Sequence, residues 1–118
     1  MIFLAPSFEP VAPLTEEDVR VSLSVEADTR GPRGLTDPDS ARFVLLAPDG
    51  TQRNHSAYPG GGVVRDGVGL LRVDITNGIL NVAGKWSFVW EAAIDAEHRS
   101  TFGAFVVVEP EFEFGGAR

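Results

Sequence analysis

The sequence predicts an all-β domain, an antiparallel sandwich of about seven strands. Three observations carry this expectation. Apolar residues recur at every second position through several segments, the pitch of a strand with one wet face, and no stretch longer than one turn shows a helical period. Pro, Gly, Asn and Asp interrupt these segments about every 8–12 residues, which is the spacing of turns in a sandwich. The 118 residues fit one domain, and 43% hydrophobic with 23% charged residues is a globular balance.

The clearest strand is Val19, Val21, Leu23 and Val25 alternating with Arg20, Ser22, Ser24 and Glu26. Thr15-Glu16-Glu17-Asp18 before it has the form of a helix capping box, but no helical period follows. Asp28 to Ser40 holds two glycines and two prolines and reads as a loop. Ala41 to Ala47 is nearly continuous in apolar residues, as expected for a strand buried on both faces. Pro48-Asp49-Gly50 is the strongest turn signal, because proline presets one dihedral and Asp-Gly accepts a positive φ. Thr51 to Tyr58 then returns as a polar edge strand, and Pro59-Gly60-Gly61-Gly62 is a loop. Val63 to Asp66 and Gly69 to Thr76 are two further strands, followed by the turn Asn77-Gly78. Lys85 to Ile94 is an aromatic strand with Trp86, Phe88 and Trp90 on one face, where three large rings anchor a core. Asp95 to Arg99 reads as a charged loop, and Phe102 to Val108 as the last strong strand. Together these give an immunoglobulin-like sandwich, with a small barrel as the alternative.

The two ends differ from the middle. Residues 1–18 carry Pro6, Pro10 and Pro13, which disfavour helix, yet Ile2, Phe3, Leu4, Phe8, Val11 and Leu14 are too apolar for a solvated linker. The expectation is an extended arm whose apolar side chains lie on a partner; an arm folded back on its own domain is the other reading. Residues 19–109 form the sandwich, and 110–118 a tail or edge strand in which Phe112 and Phe114 alternate with Glu111 and Glu113. Phe112 and Phe114 join the partner-binding candidates. Neither an export leader nor a membrane-spanning run is visible.

Charge and composition exclude several functions. Ten basic against 17 acidic residues give −7, so neither nucleic acid nor an anionic membrane is an expected partner. Without cysteine there is no disulfide, thiolate metal site or cysteine nucleophile. His55 and His98 lie in no ligand or catalytic spacing and read as surface residues. Asp37-Pro38-Asp39-Ser40 lacks the closing glutamate of a calcium loop, so Asp37 and Ser40 are expected to bond nearby turn amides. Gly60-Gly61-Gly62 precedes a strand rather than a helix and cannot be a phosphate loop. The serines show no nucleophile elbow, and Asn54-His55-Ser56 matches the glycosylation triplet without a secretory context. Tyr58, Trp86, Phe88 and Trp90 would form a sugar platform if exposed, but alternation points them into a core. Nine arginines against one lysine, Lys85, suit bidentate contacts at interfaces. No enzyme activity, cofactor or metal is expected.

The run from Asp37-Pro38 through Pro48-Asp49-Gly50-Thr51, Val64-Arg65-Asp66, Gly84-Lys85-Trp86-Ser87-Phe88-Val89-Trp90-Glu91 and Phe105-Val106-Val107 resembles small immunoglobulin-like virion proteins of tailed bacteriophages. These belong to the capsid-decoration and head–tail neck regions. The likeness spans roughly residues 19 to 108, and the Gly-x-Trp-x-x-x-Trp-Glu stretch is its most specific part. The resemblance implies a non-enzymatic structural protein, located in the virion, that binds other virion proteins (capsid, portal, adaptor or tail) as a homo-oligomer. A carbohydrate- or ligand-binding module of a surface protein is the alternative, and an enzyme with scattered catalytic residues a third.

Overall fold

The computed structural model describes residues 1–10, 19–29, 31–75, 79–80 and 82–107. Their strands are β1 (Ile2–Pro10), β2 (Val19–Ala27), β3 (Gly34–Leu35), β4 (Ser40–Leu46), β5 (Gln52–Tyr58), β6 (Val64–Gly67), β7 (Leu70–Ile75), β8 (Gly84–Ile94) and β9 (Glu97–Val107). Two antiparallel sheets result. Sheet A runs β1-β2-β7-β6, with β3 added at the end of β2, and sheet B runs β5-β4-β8-β9. Leaving β3 aside, this is the strand order of an immunoglobulin-like Greek key with one extra edge strand, β5.

The core lies between the sheets and follows from alternation. Val21, Leu23 and Val25 of β2 point inward, as do Leu71, Val73 and Ile75 of β7. Sheet B contributes Phe43 and Leu45 from β4 and the rings of Trp86, Phe88 and Trp90 from β8. Phe43 stands 4.8 Å from Trp90 and 6.0 Å from Phe88, centroid to centroid, in tilted geometry. Each of these side chains contributes about 1.5–3 kcal/mol on burial, more for the tryptophans. Gly84 takes φ +135° where β8 begins, with the Pro48 ring where a side chain would stand. That close approach sets the corner ahead of Trp86.

The seven strands expected from the sequence all form; β1 and β3 are additional. The expected arm is therefore corrected over its first ten residues. Ile2 to Pro10 pairs along its whole length with Val19 to Ala27, and Ile2 is a core residue at 1% exposure. Ile2 cannot anchor a neighbour. Phe3 and Leu4 are half-buried against the domain, and Phe8 rests its ring 5.4 Å from Phe105. The prolines, which disfavour helix, are tolerated in this strand because β1 is the edge of sheet A. Val11, Leu14, Phe112, Phe114 and the capping-box sequence lie outside the described residues.

Two local readings also change. The Asp95–Arg99 segment is not a loop: Asp95 and Ala96 alone turn the chain, Asp95 adopting φ +56°, and β9 starts at Glu97. Aspartate tolerates that left-handed geometry better than most residues. Strand β4 is buried on one face only. Ala41, Phe43 and Leu45 point inward, while Arg42, Val44 and Leu46 reach the outer face. Its continuous apolar run has a different cause, described next.

Candidate protein-interaction surface

Residues paired across antiparallel strands share a face, so the register of sheet B defines its outer surface row by row. One row runs His55, Val44, Val89 and Phe102 across β5, β4, β8 and β9. The next runs Gln52, Leu46, Ser87 and Ala104, and beyond it Lys85 faces Val106. On the other side Arg42, Glu91 and Ser100 form a polar row. The centre is therefore apolar: Val44, Leu46, Val89, Phe102, Ala104 and Val106. Phe102 is 77% exposed and Val106 66%, the two most exposed large apolar side chains among the described residues. An apolar patch rimmed by polar residues marks a contact surface on a soluble domain.

The rim is ordered by charge pairs. Arg42 donates to Glu91 at 3.0 Å across the β4–β8 pair. Both side chains are solvent-exposed enough that the pair contributes less than about 1 kcal/mol. Its consequence is orientation, holding both charges beside the apolar row and off it.

Sheet A presents a contrasting outer face. Arg20 meets Asp74 at 2.8 Å, Arg72 meets Asp74 at 3.0 Å, and Arg72 also meets Asp66 at 2.9 Å. This charge ladder leaves no comparable apolar row across β2 and β7.

The ends of the sheets are tied by two aspartates of the segment between β3 and β4. The Arg65 guanidinium donates two hydrogen bonds to Asp37, both at 3.0 Å, and the Gly69 N–H donates a third at 2.9 Å. The Asp95 N–H donates to Asp39 at 2.7 Å, while the Asp39 N–H donates to the Ala93 carbonyl at 2.8 Å. The sequence expectation of local turn bonds from Asp37 is thereby corrected: its partners lie 28 and 32 residues on. Both carboxylates are engaged, one holding the β6–β7 hairpin and the other the β8–β9 turn.

The Arg65 hydrogen bonds, then the Gly69 amide, hold the Asp37 carboxyl below its ordinary value of 3.8. A depressed folded value means that the tie contributes fully above the unfolded value and is lost as pH falls through the folded one. Stability should accordingly drop below about pH 4. Asp37→Asn should flatten that part of the stability curve, read by urea denaturation between neutral and acid pH. Equal slopes for both proteins would contradict it.

Other candidates do not converge. His55 and His98 lie on β5 and β9, the two edges of sheet B, separated by β4 and β8. Three strand spacings across the sheet and four residues along it put them about 19 Å apart. Among the described residues no group of three or more His, Asp or Glu is arranged to hold a metal ion. Trp86 and Trp90 are fully buried and Tyr58 is half-buried against the core, so the sugar-stacking platform loses its two largest rings. The Asp49 carboxylate serves the β4–β5 turn, accepting from the Thr51 N–H at 3.0 Å and the Thr51 hydroxyl at 2.7 Å.

Sequence reasoning missed the outer row, although its signal was present. Apolar residues fill both alternating sets of β4 (Val44 and Leu46 beside Phe43 and Leu45) and of β9 (Phe102 and Val106 beside Phe105). Such doubling means either burial on both sides or an apolar outer face, and only the arrangement of neighbouring layers separates the two. No known family model, curated protein or solved structure matches the chain.

Proposed function

We propose that this chain is a non-enzymatic structural module that binds other proteins through the outer face of sheet B. The observation that carries the reading is the row Val44, Val89 and Phe102 with Val106 nearby on the same face, left uncovered by the described residues. A monomer that functioned alone would gain nothing from exposing Phe102, whereas a partner that covers it removes apolar area worth about 25 cal/mol per Å². The sequence resemblance to tailed-phage virion proteins supplies the setting, a capsid-decoration or head–tail component that contacts other virion proteins.

The test uses tailed-phage particles that encode the chain, purified on a density gradient. The 12.7 kDa protein should be present at a fixed ratio to the major capsid protein. A complementing copy carrying both Phe102→Asp and Val106→Asp should fold but be left out of the particle. Particles that lack the wild-type chain would overturn the virion setting. Full incorporation of the doubly substituted chain would overturn the contact surface.

A further inference from the structure

Charge is unevenly spread between the two sheets. The strands of sheet A carry three arginines against four carboxylates, a balance of 3 − 4 = −1. Those of sheet B carry Arg42, Arg53, Lys85 and Arg99 against Glu91 and Glu97, a balance of 4 − 2 = +2. The chain as a whole stands at −7. Glu97 is turned to the seam with β1, where it accepts from the Ile2 N–H at 2.9 Å. Glu91 is thus the one carboxylate that the strands present on the outer face of sheet B, and Arg42 pairs it at 3.0 Å.

Lys85 is the cation of that face without a counter-charge. Alternation points it outward, since Trp86 beside it is a core residue, and the register sets it against Val106. It is exposed, and among the described residues its ammonium makes no hydrogen bond or ion pair. By contrast Arg20, Arg33, Arg65, Arg72 and Arg99 each meet a carboxylate of their own chain. His55 and His98, at two corners of the same face, add no negative charge to it. An ammonium at the border of an apolar patch loses hydration when a partner covers the patch. That loss costs free energy unless the partner brings a carboxylate to it.

We propose that the partner's surface is apolar at its centre and acidic at its border, with a carboxylate opposite Lys85. Such a surface is repelled by the net-negative remainder of this chain and attracted at sheet B, so charge fixes the orientation of docking. The work is divided. The buried apolar row supplies most of the affinity, whereas charges at the rim act on encounter and on the choice of partner. This inference rests on the reading of sheet B as a contact surface and states the chemistry of what meets it.

Lys85→Arg, Lys85→Gln and Lys85→Glu chains, each co-expressed with the wild type during particle assembly, test it. Mass spectrometry of purified particles reads each ratio of variant to wild type against the ratio in the lysate. Lys85→Arg should enter as the wild type does, and Lys85→Gln should be depleted. Lys85→Glu should be depleted furthest, by about tenfold or more. Thermal melts check that every chain is folded. Any other order, from equal entry of all chains to enrichment of Lys85→Glu, would overturn the acidic partner. So would release of the chain from opened particles by nuclease, which would assign the anion to nucleic acid. These outcomes leave the contact surface standing, because its own test is the chain carrying Phe102→Asp and Val106→Asp. Particles without the chain would overturn the virion setting and this inference together.

Discussion

Replacing Trp86 by alanine should remove about 3–5 kcal/mol of unfolding free energy, a large share of the stability of a domain this size. Trp86 is fully buried on β8, opposite Phe105 of β9, and its indole N–H donates to the Val82 carbonyl at 2.9 Å. The substitution leaves a cavity between the sheets and deprives that carbonyl of its donor. Trp90 offers an internal contrast. It is equally buried, but its Nε1 has no hydrogen-bond partner among the described residues. Phenylalanine at Trp86 therefore costs both volume and a hydrogen bond, whereas phenylalanine at Trp90 loses volume while removing a buried donor without a partner. Urea denaturation should rank Trp86→Phe as the more destabilising of the two by about 1 kcal/mol. The reverse order would contradict the assignment of the two indoles.

The second large effect is expected at Gly69, in the turn between β6 and β7. Its φ is +70°, and a Cβ there would stand 2.6 Å from the Val25 carbonyl oxygen and 2.8 Å from the Thr36 nitrogen. Those atoms are already hydrogen-bonded to each other at 3.0 Å, and the Gly69 carbonyl accepts from the Val25 N–H at 2.8 Å. Backbone thus packs against backbone, with no side chain to move aside. Gly69→Ala should cost about 3 kcal/mol or more, the left-handed strain adding to the displacement of β2 from the hairpin. Thermal unfolding reads this directly. A melting temperature within about 2 °C of the wild type would show that the turn relaxes freely.

How far the sequence carried differs by feature. Alternation located Val21, Leu23 and Val25 and the three rings of β8 on the inner face, because a period of two is a local property of the chain. Turn chemistry placed the β4–β5 hairpin at Pro48-Asp49-Gly50 for the same reason. Strand β1 was not legible: its prolines and irregular apolar spacing describe an edge that a neighbour completes, and that neighbour is β2, some 9–25 residues on. Pairing between segments so far apart leaves no local mark. The ties from Asp37 and Asp39 were equally hidden, since their partners Arg65, Gly69 and Asp95 come close only once both sheets exist. The outer row of sheet B was half legible, visible as surplus apolar residues whose destination the sequence did not decide.

The surplus has a physical cost that argues for its use. An eleven-residue edge strand displaying Phe102 and Val106 invites strand addition and aggregation unless something covers it. The net charge of −7 disfavours unspecific self-association while leaving the apolar outer face of sheet B for a complementary partner. On the proposed reading the contact lies on a preformed surface rather than a loose arm, which loses less conformational entropy on binding.

The central claim is that the outer face of sheet B is the surface through which this chain meets its partners, and Phe102→Asp tests it most directly. Incorporation into purified particles, paired with a thermal melt, reads contact and fold together. At 77% exposure the substitution should leave the melting temperature within about 2–4 °C of the wild type. The account predicts that the wild-type chain enters the particle at a fixed ratio while the folded Phe102→Asp chain is left out. Equal incorporation of a folded Phe102→Asp chain and the wild type would contradict it.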